Sequence, residues 1–308
     1  MNAILFPGQG SQIVGMGSEF YNNFKIAKKI FDESDEYLKF KISQIILEGP
    51  EDKLRLTQNT QPAILIVSYV IFSILKKEFN FNFDATKFFA GHSLGEYSAL
   101  LCSESLEFKD ALLLIYERGK AMQEAVPIGK GSMIAILGSK IDEINNFLKE
   151  ARKKGVCEIA NDNAEGQTII SGNVESIDML KEILKANKKK VIPLNVSAPF
   201  HCSLMRSAAD TMKEKINSVN FKRPLFNIIP NVTTRPENNP ENIKRLLIEQ
   251  IYSTVRWRES IINMSKEQIN TFIEIGPGKV LSGLIKRINK DVEVISINNE
   301  DDIKRIKI

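Results

Sequence analysis

The chain is poor in the residues on which many sites are built: its 308 residues hold one tryptophan, two histidines and three cysteines. Cys102, Cys157 and Cys202 are odd in number and show no C-x-x-C spacing, which points to reduced thiols rather than a disulfide framework. Three scattered cysteines and two histidines offer no ligand pair at finger spacing, so no metal site is expected. An excess of one charge is also missing. The 42 basic and 38 acidic residues leave +4, too mild for a nucleic-acid binder, although a local basic patch could meet an acidic partner. The longest apolar run, 63–75, is broken by Ser68 and Ser73 and falls short of a bilayer span, so no membrane insertion is expected. The first residues show no secretory pattern. Asn2–Phe6 reads as a short buried strand entering Pro7-Gly8-Gln9-Gly10, without a basic start or a long apolar core, and the expected setting is cytoplasmic.

What is present suits a soluble globular protein: 43% hydrophobic and 26% charged residues, with length for about two domains. Strand-length apolar runs alternate with helix-period segments, which predicts an α/β protein. Residues 24–40 read as an amphipathic helix. Residues 61–79 are apolar nearly all round and read as a buried helix with Pro62 in its first turn; 94–102 and 108–124 read as two more helices. From 128 to 196 the predicted order is β-α-β-β-α-β. Strands fall at 132–137, 156–160, 167–171 and 190–195, helices at 141–153 and 174–187, with a turn-rich link at 161–166. That is the ferredoxin-like pattern. It predicts an inserted small domain over 128–196, ending near Ser197-Ala198-Pro199, with 1–127 and 197–308 forming a large α/β catalytic domain. Beyond it, helices are expected at 204–219, 241–251 and 258–265, and strands at 225–229 and 271–275 before a Gly276-Pro277-Gly278 turn into a helix.

The stretch FFAGHSLGEYSALL, 88–101, carries the chemistry. Gly91-His92-Ser93-Leu94-Gly95 is G-x-S-x-G between a strand and a helix, the context of a nucleophile elbow. A sharp turn lifts the serine oxygen above the strand end, and small residues two positions to either side let backbone pass close by. The helix N-terminus beneath offers N–H groups to a developing oxyanion. The plain alternative is a helix N-cap, a common place for serine. A serine nucleophile needs a base. His92 adjoins Ser93, so its ring should leave on the opposite side and support the elbow, which makes His201 the remote candidate. No Asp or Glu stands out as a third member, so a Ser–His dyad oriented by a backbone carbonyl is the expected form.

These motifs occur in order with others: Phe6-Pro7-Gly8-Gln9-Gly10-Ser11-Gln12, Thr60-Gln61-Pro62-Ala63, Glu96-Tyr97 after the elbow, Arg118-Gly119 with Met122-Gln123, Phe200-His201, and Glu274-Ile275-Gly276-Pro277-Gly278. As a set they resemble the malonyl-CoA:acyl-carrier-protein transacylases of fatty-acid synthesis, over essentially the whole chain. The resemblance implies an α/β-hydrolase-like, patatin-like large domain and an acyl-enzyme on Ser93, with His201 as base. The backbone N–H groups of Gln9 and Leu94 match the family's oxyanion hole. Arg118 matches the residue that grips the malonyl carboxylate, a task suited to a planar guanidinium. Seen alone, it could be one more solvated helix residue. Phe200 and Leu94 resemble versions whose bulk leaves little room for an α-methyl group. Gln250 matches the position whose backbone carbonyl orients the base, and its side chain could equally be an exposed helical one. Asn161 and Asn163 match polar positions near the pocket mouth.

The resemblance further implies two substrates, malonyl-CoA and the acidic, phosphopantetheine-bearing acyl carrier protein, and no metal or redox cofactor. The carrier could dock on Lys181, Lys185, Lys188, Lys189 and Lys190, or on Lys286 and Arg287; either group could also be a solvated face. The sequence does not fix the oligomeric state, for which a monomer is the starting expectation. Competing readings are a serine esterase or thioesterase, a malonyltransferase of a polyketide pathway, and a silent binding module that keeps the fold.

Overall fold

The computed structural model describes residues 1–196 and 198–306; Ser197, expected at the edge of the small domain, and residues 307 and 308 lie outside the described residues. Its strands in chain order are β1 (Asn2–Phe6), β2 (Thr86–Gly91), β3 (Gly131–Leu137), β4 (Cys157–Ala164), β5 (Gln167–Asn173), β6 (Lys190–Pro193), β7 (Asn227–Ile229), β8 (Thr271–Ile275) and β9 (Glu293–Ile297). Five of them form a parallel sheet in the order β7-β2-β1-β8-β9, and the other four form an antiparallel sheet in the order β4-β5-β3-β6.

Alternation along β1 explains why Ala3, Ile4, Leu5 and Phe6 are apolar on both faces. Ile4 and Phe6 enter a core shared with Ile64, Val67 and Ile115, whereas Ala3 and Leu5 enter a second core with Trp257, Ile261 and Leu281. A parallel strand covered on both sides has no polar face to offer. β1 and β2 then end side by side. The loop after β1 holds Gln9 and the turn after β2 holds Ser93, so both leave the carboxyl ends of neighbouring strands, where open α/β sheets place ligands.

The helix Thr57–Lys77 differs from expectation in two ways. It begins at Thr57, so Pro62 lies in its second turn rather than its first. Its polar opening residues are held by the preceding helix Glu51–Arg55 region: Asn59 Nδ2 donates to Lys53 O at 2.9 Å and Thr60 Oγ1 to Leu54 O at 2.6 Å. Those partners let the polar residues before the apolar run begin the helix earlier. The helix is also long and apolar enough to cross a membrane, which the shorter run 63–75 did not suggest; here it is a core helix with its side chains buried.

The second sheet has its own core of Ile134, Ile136 and Ile170, closed by Leu148 and Leu180 from the helices Ile141–Ala151 and Val174–Ala186. The element order β-α-β-β-α-β is as predicted. The expected turn at 161–166 is not: β4 continues through Ala164 and only Glu165 and Gly166 turn. Asn and Asp favour turns when their side chains have no better partner. Here Arg258 holds Asp162 with two nitrogens, at 2.9 and 2.8 Å, and Asn163 Oδ1 meets His92 Nε2 at 2.8 Å. The backbone is tied as well, with Asp162 N donating to Val255 O at 3.0 Å and Val255 N to Ala160 O at 2.8 Å. β4 is thus the strand that fastens the small sheet to the rest of the chain. The strand β9 and the short helices Ser18–Asn23, Ile42–Leu47 and Glu300–Arg305 had no clear sequence pattern, and β7 is shorter than expected, leaving Leu225 outside it.

Candidate active site

The elbow is built by two close backbone approaches. A Cβ on Gly91 would lie 1.9 Å from Gly95 C, and one on Gly95 would lie 2.2 Å from Phe6 O, so neither position admits a side chain unless the backbone shifts. Ser93 itself sits at φ 53°, a left-handed conformation that costs a non-glycine residue about 1–3 kcal/mol and persists only where neighbours enforce it. Asn231 does so. Its Oδ1 accepts from Ser93 N at 2.8 Å while its Nδ2 donates to Gly91 O at 2.7 Å, bracketing the bend from both sides.

His201 arrives on the loop that follows β6 and is also at positive φ, 56°. Its Nε2 lies 2.8 Å from Ser93 Oγ, and its Nδ1 lies 2.9 Å from the main-chain oxygen of Gln250. A carbonyl oxygen only accepts, so Nδ1 carries the hydrogen and Nε2 is the free acceptor facing the serine hydroxyl. Burial, and then the charge of Arg118, push the His201 pKa down to about 3, so the ring is neutral and able to take a proton at neutral pH. The expected Ser–His pair, oriented by the carbonyl of Gln250, is what the fold brings together.

Arg118 is completely buried. Its place in the helix Phe108–Glu124 is set by Gly119, where a Cβ would lie 2.7 Å from Thr57 O, so the two long helices pack backbone to backbone. The guanidinium donates from Nη1 to Gln61 Oε1 at 2.7 Å, and from Nη2 to Gln250 Oε1 at 2.9 Å and Ser93 Oγ at 3.0 Å. Its Nε is buried without an acceptor among the described residues. Burial lowers its pKa, yet arginine keeps its charge in proteins. A solvated surface arginine is ruled out. A buried cation with unmet donors beside a nucleophilic oxygen is an arrangement for an anionic substrate group.

A cavity of about 110 Å³ opens over Ser93, lined among others by Gln9, Gln61, Met133, Asn161, Phe200 and His201. Phe200 is thus a wall beside the serine and Leu94 is buried under it, whereas Asn161 lines the cavity and Asn163 acts at one remove by holding His92. His92 rests 5.6 Å from the Trp257 ring and does not contact the serine hydroxyl, as its position in the turn predicts. Among the described residues, the backbone N–H groups of Gln9 and Leu94 have no acceptor, which leaves both available to an oxyanion.

Three participants were not legible as such. Gln250 is buried, and its side chain is a junction: besides Arg118 it reaches Glu96 Oε2 at 2.7 Å, Ser93 O at 3.1 Å and Asn231 Oδ1 at 3.2 Å. Glu96, in the elbow's helix, is fully within this cluster, and burial raises its carboxyl to about 7. Asn231 lay in a loop whose only signal was its Asn and Pro content. Of the proposed docking lysines, Lys181 is paired with Asp178 at 2.9 Å and Lys189 with Glu143 at 2.6 Å, while Arg287 donates to Gln167 at 2.7 Å.

Residues 4–305 match the family model of the acyl transferase domain. The chain belongs to this family. It is an acyltransferase, and its relatives share nearly its whole length. A malonyl CoA-acyl carrier protein transacylase of Bacillus subtilis is 43% identical over 304 residues, 98% of this chain and 95% of that protein. One from Haemophilus influenzae is 38% identical over 96% of this chain and 95% of its own length. Among solved structures, an acyl-carrier-protein-S-malonyltransferase of Bartonella henselae superposes with a TM-score of 0.96 at 42% identity, covering 98% of this chain and 97% of that one. A malonyl-transacylase solved with its type II polyketide-synthase acyl-carrier protein superposes with a TM-score of 0.94 at 36% identity, over 98% and 97% of the two chains.

Proposed function

We propose that this acyltransferase moves the malonyl group from malonyl-CoA to the phosphopantetheine thiol of an acyl carrier protein, through an ester on Ser93. The observation that carries the reading is Arg118, buried, charged and 3.0 Å from Ser93 Oγ. Malonate differs from acetate by a free carboxylate, and a paired guanidinium is what recognises that difference.

In the first step His201 Nε2 takes the hydroxyl proton as Ser93 Oγ attacks the thioester carbonyl. The N–H groups of Gln9 and Leu94 receive the oxyanion. The tetrahedral intermediate collapses with loss of the CoA sulfur, to which His201 returns the proton. In the second step the carrier thiol gives its proton to His201 and attacks the ester, and the proton then returns to Ser93 Oγ. Every bond change is a proton or acyl transfer between these atoms, so the reaction calls for no metal or redox cofactor. Arg118 holds the malonyl carboxylate throughout. Phe200, in the wall beside Ser93, limits space at the α-carbon, a selection worth about 1–3 kcal/mol.

A hydrolase reading fits less well, since it expects a carboxylate behind the base and no buried cation, and His201 Nδ1 meets a carbonyl. The same proposal covers the architecture. The parallel sheet with its elbow supports a patatin-like large domain, 1–127 with 197–308. The β4-β5-β3-β6 order supports a ferredoxin-like insert at 128–196. Three buried free thiols support a cytoplasmic setting.

Intact-protein mass spectrometry tests the function. Incubation with malonyl-CoA should add one malonyl group to the wild type and none to Ser93→Ala, and holo carrier protein should remove it as malonyl-carrier. Malonyl loss to water with no carrier product would establish the hydrolase instead.

A further inference from the structure

The steps above leave the buried Glu96 without a task. It stands in the first turn of the helix Gly95–Cys102 and is 1% exposed. Two donors converge on its Oε2: the main-chain N–H of Asn231 at 2.9 Å and Nε2 of Gln250 at 2.7 Å. Each of these residues holds reacting groups. Asn231 brackets the Ser93 bend, while Gln250 gives its carbonyl to His201 and its Oε1 to Arg118. One carboxylate oxygen therefore stands behind the nucleophile, the base and the cation. An ionised carboxylate only accepts, so it fixes the sense of the Gln250 amide, with NH₂ towards Glu96 and oxygen towards Arg118. Reversed, the amide would turn donors onto a guanidinium.

We propose that Glu96 is a positioning residue of the transfer reaction, and that its carboxylate takes up a proton from solvent when the malonyl carboxylate reaches Arg118. The proposal rests on the malonyl reading of Arg118. In the free enzyme Arg118 and Glu96 are a buried cation and a buried carboxylate joined through one amide. The substrate brings a second carboxylate to the same cation. Two anions sharing one buried positive charge are not both stable, and the one without direct guanidinium contact is the one to protonate. The other ionisable groups in the cluster do not compete. Tyr97, on the same helix, has its phenol pushed above its ordinary range by burial. His201 and His92 are held neutral, mainly by burial. Glu96, raised mainly by burial to about 7, is the group that changes charge near neutrality.

Calorimetry of malonyl-CoA binding to the Ser93→Ala protein, in two buffers of different ionisation enthalpy near pH 7.5, measures the uptake directly. Less than one proton per site should be taken up with malonyl-CoA and none with acetyl-CoA, and Glu96→Gln on the same background should abolish the uptake. No uptake, equal uptake with both thioesters, or uptake that survives Glu96→Gln would each overturn the proposal. The comparison of the two thioesters needs no change at position 96, so it stands even if Glu96→Gln does not fold. In the Ser93-containing protein, Glu96→Gln should flatten the pH profile of malonyl kcat/KM near 7. An unchanged profile would also overturn it. Wild type that forms no malonyl adduct would instead overturn the malonyl reading, so the two failures are distinct.

Discussion

Arg118 Nη2 donates to Ser93 Oγ across 3.0 Å, so the cation that is to hold the substrate already touches the nucleophile. The same Ser93 oxygen lies 2.8 Å from His201 Nε2. Binding and bond-making share one small polar cluster in which each group has a fixed direction: the arginine donates, the serine donates onward, and the imidazole accepts.

Removal of the guanidinium should therefore separate the two acyl groups. Arg118→Ala is expected to lower malonyl kcat/KM by roughly 100-fold or more, since two charge-assisted hydrogen bonds to the carboxylate are lost. Acetyl transfer should fall far less. Steady-state kinetics with malonyl- and acetyl-CoA decide it, and equal losses on both would remove Arg118 as the carboxylate clamp.

The base should respond to the same charge. Arg118 helps to hold the His201 pKa down, second to burial. Pairing Arg118 with malonate neutralises that charge and should raise the His201 pKa, making the ring a better base when substrate is present. With two histidines in the chain, carbon-13 NMR of labelled imidazole can follow both. The free protein should show His201 neutral well below pH 6, titrating near 3, and malonate should shift the midpoint upwards. An unmoved or lowered midpoint would contradict the coupling. The sign for stability follows from linkage. A histidine lowered from 6.5 to about 3 binds its proton in the unfolded chain first, so its contribution to stability is lost as pH falls from about 6.5. Glu96, raised from 4.5 to about 7, acts oppositely, and its contribution is lost as pH rises across that window.

The division between what was legible and what was not has a physical basis. Ser93 belongs to a short motif whose backbone geometry is local, so spacing and context announce it, whereas Gln9 and Leu94 were reached through the family resemblance. His201 was found by scarcity, one of two histidines in the chain. Gln250 was placed for its carbonyl, while its side chain was taken to be possible surface, because a helical glutamine carries no sign of what it faces. Asn231 and Glu96 meet across 135 residues of chain, and no local pattern records such a contact. The same cause misassigned 161–164. Asn161, Asp162 and Asn163 look like turn residues until the fold supplies Val255, Arg258 and His92 as their partners. Pro62 was put in the first turn for a related reason, since the bonds that start its helix earlier come from residues 53 and 54.

The elbow's glycines make the sharpest test of how far local geometry controls the chemistry. On Gly95 a Cβ would meet Phe6 O at 2.2 Å and Pro7 O at 2.9 Å. Both are backbone atoms at the end of β1, and neither can swing aside as a side-chain tip would. Gly95→Ala must therefore push the loop carrying Gln9 away from the helix that follows Ser93, widening the gap that an oxyanion has to bridge. Overpacking of this kind costs about 1–3 kcal/mol, so the variant should fold with a lowered Tm. Its rate of malonyl-enzyme formation should fall by more than the unfolded fraction explains, as measured by rapid-quench mass spectrometry beside a melting curve. Gly283, exposed in the helix Val280–Ile288 with nothing within 4 Å of an added Cβ, is the matched control. Gly283→Ala relieves the entropic cost of glycine in a helix and should stabilise by about 0.5–1 kcal/mol with the acylation rate unchanged. If Gly95→Ala acylates as fast as wild type, the contact between the β1 loop and the elbow does not set the oxyanion geometry.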